Sequence, residues 1–106
     1  MKRFCRISAP ILGALLLVLS LTASAFAADK YVALGDSYSA GNGANSTNLD
    51  ANCNRNTFAY PYLLSQQKGY ALTFVACAGA VTGDVINSQV NSVTSDTKLV
   101  TITIGG

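Results

Sequence analysis

The 106-residue chain contains no histidine, and that single absence closes several routes at once. No imidazole within it can act as a general base or bind a metal. With three cysteines besides, the chain has too few thiols to close a tetrahedral zinc site. Charge is scarce too, at 11% of residues, and Lys and Arg form neither a run nor a stripe. Nothing in the pattern therefore offers the phosphate-neutralising surface of a nucleic-acid binder. Two nucleotide signatures are missing as well. Gly35, Gly41 and Gly43 do not give Gly-x-Gly-x-x-Gly behind a strand, and no phosphate-loop lysine is present. No internal repeat or low-complexity linker divides the chain, which has room for one small domain.

One long apolar run is present, and its flanks explain it. Lys2, Arg3 and Arg6 precede Ile11 to Leu21, apolar but for Gly13 and Ser20, and both Ala23-Ser24-Ala25 and Ala25-Phe26-Ala27 offer small-residue cleavage sites. These are the three parts of a secretory signal peptide, so residues 1–27 are read as a signal and 28–106 as the exported segment. Ile11 to Ala28 carries no charge and lies near the lower length limit for spanning a bilayer, which makes an uncleaved anchor the alternative. Cleavage leaves a secreted chain with no stable membrane anchor, and removes Cys5. It also reverses the sign of the whole-chain charge of +2, because Lys30, Arg55, Lys68 and Lys98 then face Asp29, Asp36, Asp50, Asp84 and Asp96. Cys53 and Cys77 remain. An oxidising compartment favours their pairing, two separate thiols being the alternative. Closing that loop would contribute roughly 3.5 kcal/mol in the chain-entropy model.

The exported segment alternates strand and helix signals. Lys30 to Gly35 holds the apolar run Tyr-Val-Ala-Leu and reads as a strand buried on both faces. Ser37 to Asn56, rich in Gly, Asn, Ser and Asp, reads as a long loop of the kind that carries function. Thr57 is placed to cap a helix from Phe58, with Phe58, Tyr62 and Leu63 at helical spacing, Pro61 in its first turn and Lys68-Gly69 at its end. Tyr70 to Cys77 is the second predicted strand. Asp84 to Val93, with Val85, Ile86, Val90 and Val93 near one face, is the second helix, and Lys98 to Ile104 the third strand. This β-α-β-α-β order predicts an α/β domain with a parallel sheet and right-handed crossovers.

Chemistry concentrates where the strands end. In Gly35-Asp36-Ser37 the serine follows the first strand, at the sheet edge where α/β proteins build sites. Gly35 permits a tight turn there, Asp36 can tie the loop down, and the hydroxyl of Ser37 can be exposed as a nucleophile. Gly-Asp-Ser alone is also an ordinary turn. The nucleophile elbow Gly-x-Ser-x-Gly does not fit, because Ser39 stands at its second glycine. After the second strand comes Ala76-Cys77-Ala78-Gly79-Ala80, in which the unobstructed N–H of Gly79 could face a developing oxyanion or simply turn the chain.

Taken in order, four blocks resemble the GDSL/SGNH hydrolases, above all the secreted actinobacterial type. They are Gly35-Asp36-Ser37 with Tyr38-Ser39-Ala40-Gly41, Cys53-x-Arg55-x-x-x-Ala59-Tyr60-Pro61, Ala76-Cys77-Ala78-Gly79-Ala80 and Thr101-Ile102-Thr103-Ile104-Gly105-Gly106. The resemblance implies a three-layer α/β/α sandwich around a parallel sheet of flavodoxin-like type, of which the first three strands are present. It implies Ser37 as nucleophile, the Ser37 N–H and Gly79 as oxyanion-hole donors, and a Cys53–Cys77 disulfide. It also implies ester or lipid substrates, with neither metal nor organic cofactor. Asn45-Ser46-Thr47 is a nominal glycosylation sequon that carries little weight in a chain of bacterial appearance.

The departures bear on activity. Family members continue Gly-Gly with Asn-Asp, whose asparagine is a third oxyanion donor, and carry a later Asp-x-x-His block that supplies acid and base. This chain ends at Gly106 and contains no histidine, and Ala78 replaces a serine common in its block. General-base assistance is typically worth about 10² to 10⁴ in rate. The expectation is therefore a secreted serine esterase or lipase acting through Ser37, inactive as these residues alone. The alternative is a non-catalytic secreted remnant, or a fragment that folds only with a partner.

Overall fold

The computed structural model describes residues 27–44 and 47–105. The predicted signal, up to residue 26, and Asn45 and Ser46 of the sequon lie outside the described residues.

Lys30–Gly35 forms β1, in which every residue from Tyr31 to Gly35 is buried. Such burial requires a neighbour on each edge and a layer on each face. β2 (Ala71–Phe74) pairs parallel with one edge, Tyr31 opposite Leu72 and Ala33 opposite Phe74. β3 (Thr97–Thr103) pairs parallel with the other, Val32 opposite Val100 and Gly35 opposite Thr103. The sheet order is β2-β1-β3, so the chain runs outward from β1 to β2 and then crosses back to β3. That is how a flavodoxin-like sheet begins, a topology in which sites form at the strands' C-terminal ends where the order reverses, here beside β1 and β3.

Alternate side chains of β1 meet different layers. Val32 and Leu34 pack with Val85, Val75, Val93 and Ile104. Val85 belongs to α3 (Thr82–Asn87), which is followed by a short 3-10 turn, Gln89–Ser92. On the opposite face the Tyr31 ring meets Tyr70 edge-on at 5.9 Å, and its hydroxyl shares a hydrogen bond of 2.7 Å with Thr101 Oγ1. Burial pushes the Tyr31 phenol above its ordinary pKa, the direction expected of a desolvated acid. Tyr70 follows α2 (Tyr60–Lys68), which ends at Gly69 in the left-handed region. Helices thus cover both faces, as predicted for an α/β fold. Among the described residues, no helix is long and apolar enough to cross a membrane.

Several boundaries differ from the sequence-based expectations, each for a local reason. The loop from Ser37 to Asn56 opens with a one-turn helix, α1 (Ser37–Ala40), because the Asp36 carboxylate accepts the Tyr38 N–H at 3.0 Å. Helix α2 starts at Tyr60, not Phe58, and Thr57 does not cap it. The Thr57 and Phe58 N–H groups are already taken, by Asn48 Oδ1 at 3.1 Å and Asn56 Oδ1 at 2.9 Å. The expected stripe fails with it, since Phe58 and Leu63 are exposed and the helix buries Pro61 and Ser65. β2 begins at Ala71 and stops at Phe74, because Val75 and Ala76 both donate to the Ala33 carbonyl and break the ladder's step. The second predicted helix is split at Ser88, which leaves Val85 buried but Ile86 and Val90 exposed. β3 spans Thr97–Thr103, one residue earlier than expected at each end.

β3 itself is half covered. Val100 and Ile102 share the Val32 face yet are 43% and 47% exposed, while Leu99, Thr101 and Thr103 are less so. The contrast gives a direct test. Leu34→Ala should lower the unfolding free energy by about 2–4 kcal/mol, and Ile102→Ala by less than about 1.5 kcal/mol, in urea titrations of the whole chain.

Candidate active site

Gly35 closes β1 with φ of +135°, a conformation that side-chain-bearing residues rarely adopt. A Cβ there would stand 2.5 Å from the Thr103 carbonyl oxygen and 2.6 Å from Ser39 Oγ. Only glycine lets the strand turn outward beneath its neighbours. Asp36 comes next, its N–H donating to the Thr103 carbonyl at 2.9 Å. Its Oδ1 accepts both the Tyr38 N–H and, at 3.1 Å, the Thr103 hydroxyl. Asp36 is therefore attached twice, to α1 and to β3.

Ser37 opens α1, half-buried and at the C-terminal edge of the sheet. Its carbonyl accepts from Gly41 and Asn42, while its hydroxyl has no hydrogen-bond partner among the described residues. Beneath it runs a chain of hydroxyls. Ser39 Oγ lies 2.6 Å from Thr103 Oγ1 and 2.9 Å from Tyr60 Oη, joining α1, β3 and α2. Gly41 ends the helix in the left-handed region, where a Cβ would meet Ala59 and the Asn56 amide below 3.0 Å. Asn56, fully buried, donates to the Gly41 carbonyl at 2.8 Å.

The second motif follows β2. Cys53 and Cys77 form a disulfide, and Ala78 donates to the Cys53 carbonyl at 3.0 Å. Gly79 is exposed with φ of +87°, and no atom lies within 4 Å of where its Cβ would be. Arg55 braces this turn from outside, donating to the Ala76 carbonyl at 2.8 Å and pairing with Asp50 at 2.6 Å. A cavity of about 440 Å³ lies beside it, lined among others by Cys53, Val75, Gly79, Asp84 and Gln89.

The structure thus brings Gly35, Asp36, Ser37, Cys77 and Gly79 to one sheet edge, and a Cys77 N–H bond of 3.0 Å to the Gly35 carbonyl joins the two motifs. Ser37 is not among the residues lining the cavity beside Gly79. Among the described residues no group of His, Cys, Asp or Glu is arranged to hold a metal ion. Ser39, Asn56, Tyr60, Gln89 and Thr103 were not singled out as supports from the sequence. Ser39, Tyr60 and Thr103 do lie within the motif blocks, which was the one signal available; Asn56 and Gln89 carried none.

No family model matches the chain. It is 50% identical over 82 residues to Lipase 1 of Streptomyces coelicolor, covering 76% of this chain and 31% of that protein. A lipase of Streptomyces rimosus is 47% identical over 89 residues, covering 82% and 33%. Among solved structures, a phospholipase A1 from Streptomyces albidoflavus superposes with a TM-score of 0.70 at 51% identity, over 76% of this chain and 35% of that one. The extracellular lipase of Streptomyces rimosus gives 0.69 at 49% identity, over 74% and 35%. The chain spans about a third of the length of the curated relatives it matches.

The disulfide links positions 24 residues apart, so its contribution can be sized. Replacing both cysteines by serine should lower the unfolding free energy by roughly 3.5 kcal/mol, and a reducing agent should lower the parent's urea midpoint while leaving the double variant's in place.

Proposed function

We propose that the chain, like the Streptomyces lipases to which it is similar, forms the nucleophile-bearing part of a secreted serine ester hydrolase of the GDSL type acting on lipid esters. The observation that carries this reading is the placement of Ser37. It stands two residues beyond a strand buried on both faces, on a turn held by Gly35 and Asp36, with a hydroxyl that has no partner among the described residues. A serine so placed is held by its backbone while its side chain stays available.

In the proposed reaction Ser37 Oγ attacks the ester carbonyl carbon and forms a tetrahedral oxyanion, which the N–H groups of Ser37 and Gly79 stabilise. Collapse expels the alcohol and leaves an acyl-enzyme, which water then hydrolyses to the free acid. Both steps move a proton through a base. No histidine in the 106 residues can provide one, and the resemblance assigns that role to a later Asp-x-x-His block. The chemistry needs no metal or organic cofactor. The residues in hand therefore supply the nucleophile and part of the oxyanion hole, and are inactive alone. A non-catalytic, partner-dependent reading draws on one observation, the exposed Val100 and Ile102 on a strand paired along one edge among the described residues.

A chimera separates the two. Residues 1–105 joined to the C-terminal two thirds of the Streptomyces rimosus lipase should hydrolyse p-nitrophenyl butyrate. Ser37→Ala should lower its kcat roughly 10⁴-fold or more, and the 106-residue chain by itself should show no turnover above background. Equal activity of the chimera and its Ser37→Ala variant would remove Ser37 as nucleophile.

A further inference from the structure

Gln89 is a polar side chain only 8% exposed, in a segment otherwise marked by Val85, Val90 and Val93. Burying an amide is unfavourable unless its donors and acceptor are satisfied, so its partners say what it is for. Both belong to one residue. The Gly35 N–H donates to Gln89 Oε1 at 2.7 Å, and Gln89 Nε2 donates to the Gly35 carbonyl at 2.9 Å. Only one orientation of the amide satisfies both groups. The ring of two hydrogen bonds copies a strand-to-strand pair, with a side chain standing in for a neighbouring strand. The same Gly35 carbonyl accepts the Cys77 N–H at 3.0 Å, and Gln89 lines the cavity beside Gly79.

Gly35 needs such a partner. Glycine has the broadest conformational freedom of any residue, and this one, at φ of +135°, stands two positions before Ser37. An unrestrained peptide there would let the turn sample other orientations, and reacting groups misplaced by about 1 Å can cost on the order of 10²-fold in rate. We propose that Gln89 is a positioning residue: its amide fixes the Gly35 peptide, and thereby the register between the Asp36–Ser37 turn and the Cys77–Gly79 turn. The inference rests on Ser37 being the nucleophile. Gln89 acts through Gly35 and does not touch the reacting atoms.

Two variants test it in the chimera, and one measurement tests it in the whole 106-residue chain. Gln89→Met keeps the volume and removes both hydrogen bonds. It should lower kcat about 10- to 100-fold with KM within about twofold. Gln89→Glu keeps the acceptor for the Gly35 N–H but, when ionised, aims a carboxylate oxygen at the Gly35 carbonyl. Among the residues lining that cavity Asp84 is the one ionisable group, and its charge also favours the protonated acid. Protonation restores the donor, so the Gln89→Glu rate relative to the parent should climb as pH falls. In the 106-residue chain, Gln89→Met should speed hydrogen exchange of the Gly35 amide at least about 10-fold, while the Val32 and Leu34 amides stay protected and report an intact fold. An unchanged Gly35 exchange rate, a kcat within about twofold of the parent's, or a flat Gln89→Glu ratio across pH would overturn the proposal. A chimera without Ser37-dependent turnover would instead sink the nucleophile assignment, and Gly35 exchange would still decide whether Gln89 holds that peptide.

Discussion

The peptide of Gly35 is where a strand buried on both faces turns out toward the sheet edge, and the surrounding structure follows from keeping that peptide hydrogen-bonded without a Cβ. Water cannot serve groups this deep, and an unpaired backbone N–H or C=O costs free energy comparable to a lost hydrogen bond. The Thr103 carbonyl of the neighbouring strand is taken by Asp36. The Gly35 groups are served by Gln89 and Cys77, each arriving from a different segment. Sterics act on the same atom set. A side chain at position 35 would run into Thr103 and Ser39, so one glycine satisfies the turn, the close approach and the hydrogen-bond geometry together.

The layer beneath the turn obeys the same rule with hydroxyls in place of peptides. Thr103 reaches Asp36, Ser39 reaches Thr103, and Tyr60 reaches Ser39, so four segments share one polar chain. Among the described residues no buried side-chain nitrogen or oxygen lacks a partner. Such a network restrains more than a set of apolar contacts would, because each hydroxyl is useful only in the orientation its neighbour requires. It also accounts for the polar lettering of β3, where Thr101 and Thr103 stand on the Tyr31 face and Val100 and Ile102 on the other.

What the sequence disclosed follows the same division. β1 was legible residue for residue, because two-sided burial leaves an apolar run with no alternation to misread. The order of elements and the parallel sheet were legible from the alternation of strand and helix signals. The Gly35-Asp36-Ser37 turn at the end of β1 and the cysteine pair were legible because each carries a local signature, a turn tripeptide or an oxidisable thiol. Helix edges were not. The start of α2 depends on Asn48 and Asn56 capturing two N–H groups, and the split at Ser88 accompanies the burial of Gln89. The Asn56 bond is a local turn, but the Asn48 bond to Thr57 and the Gln89 bonds to Gly35 join separate segments, which periodicity cannot register. Gln89 sat unnoticed in a segment read as an amphipathic helix for the same reason.

A single hydrogen bond then governs how the two motifs face each other. Ser37 lies two residues beyond Gly35, and Gly79 two residues beyond Cys77, with the Cys77 N–H to Gly35 carbonyl bond between the two arms. Each arm is braced on its outer side by different means. The Ser37 arm is held by Asp36 and the hydroxyl chain, the Gly79 arm by the Cys53–Cys77 disulfide, the Ala78 bond to Cys53 and the Arg55 contact with Ala76. With both arms short and externally fixed, the freedom left to the pair resides in the junction, and the proposed reaction would require its donors to be placed there before charge develops. That makes the Gly35 carbonyl, shared by Cys77 and Gln89, the position at which a small displacement would separate Ser37 from Gly79 most directly.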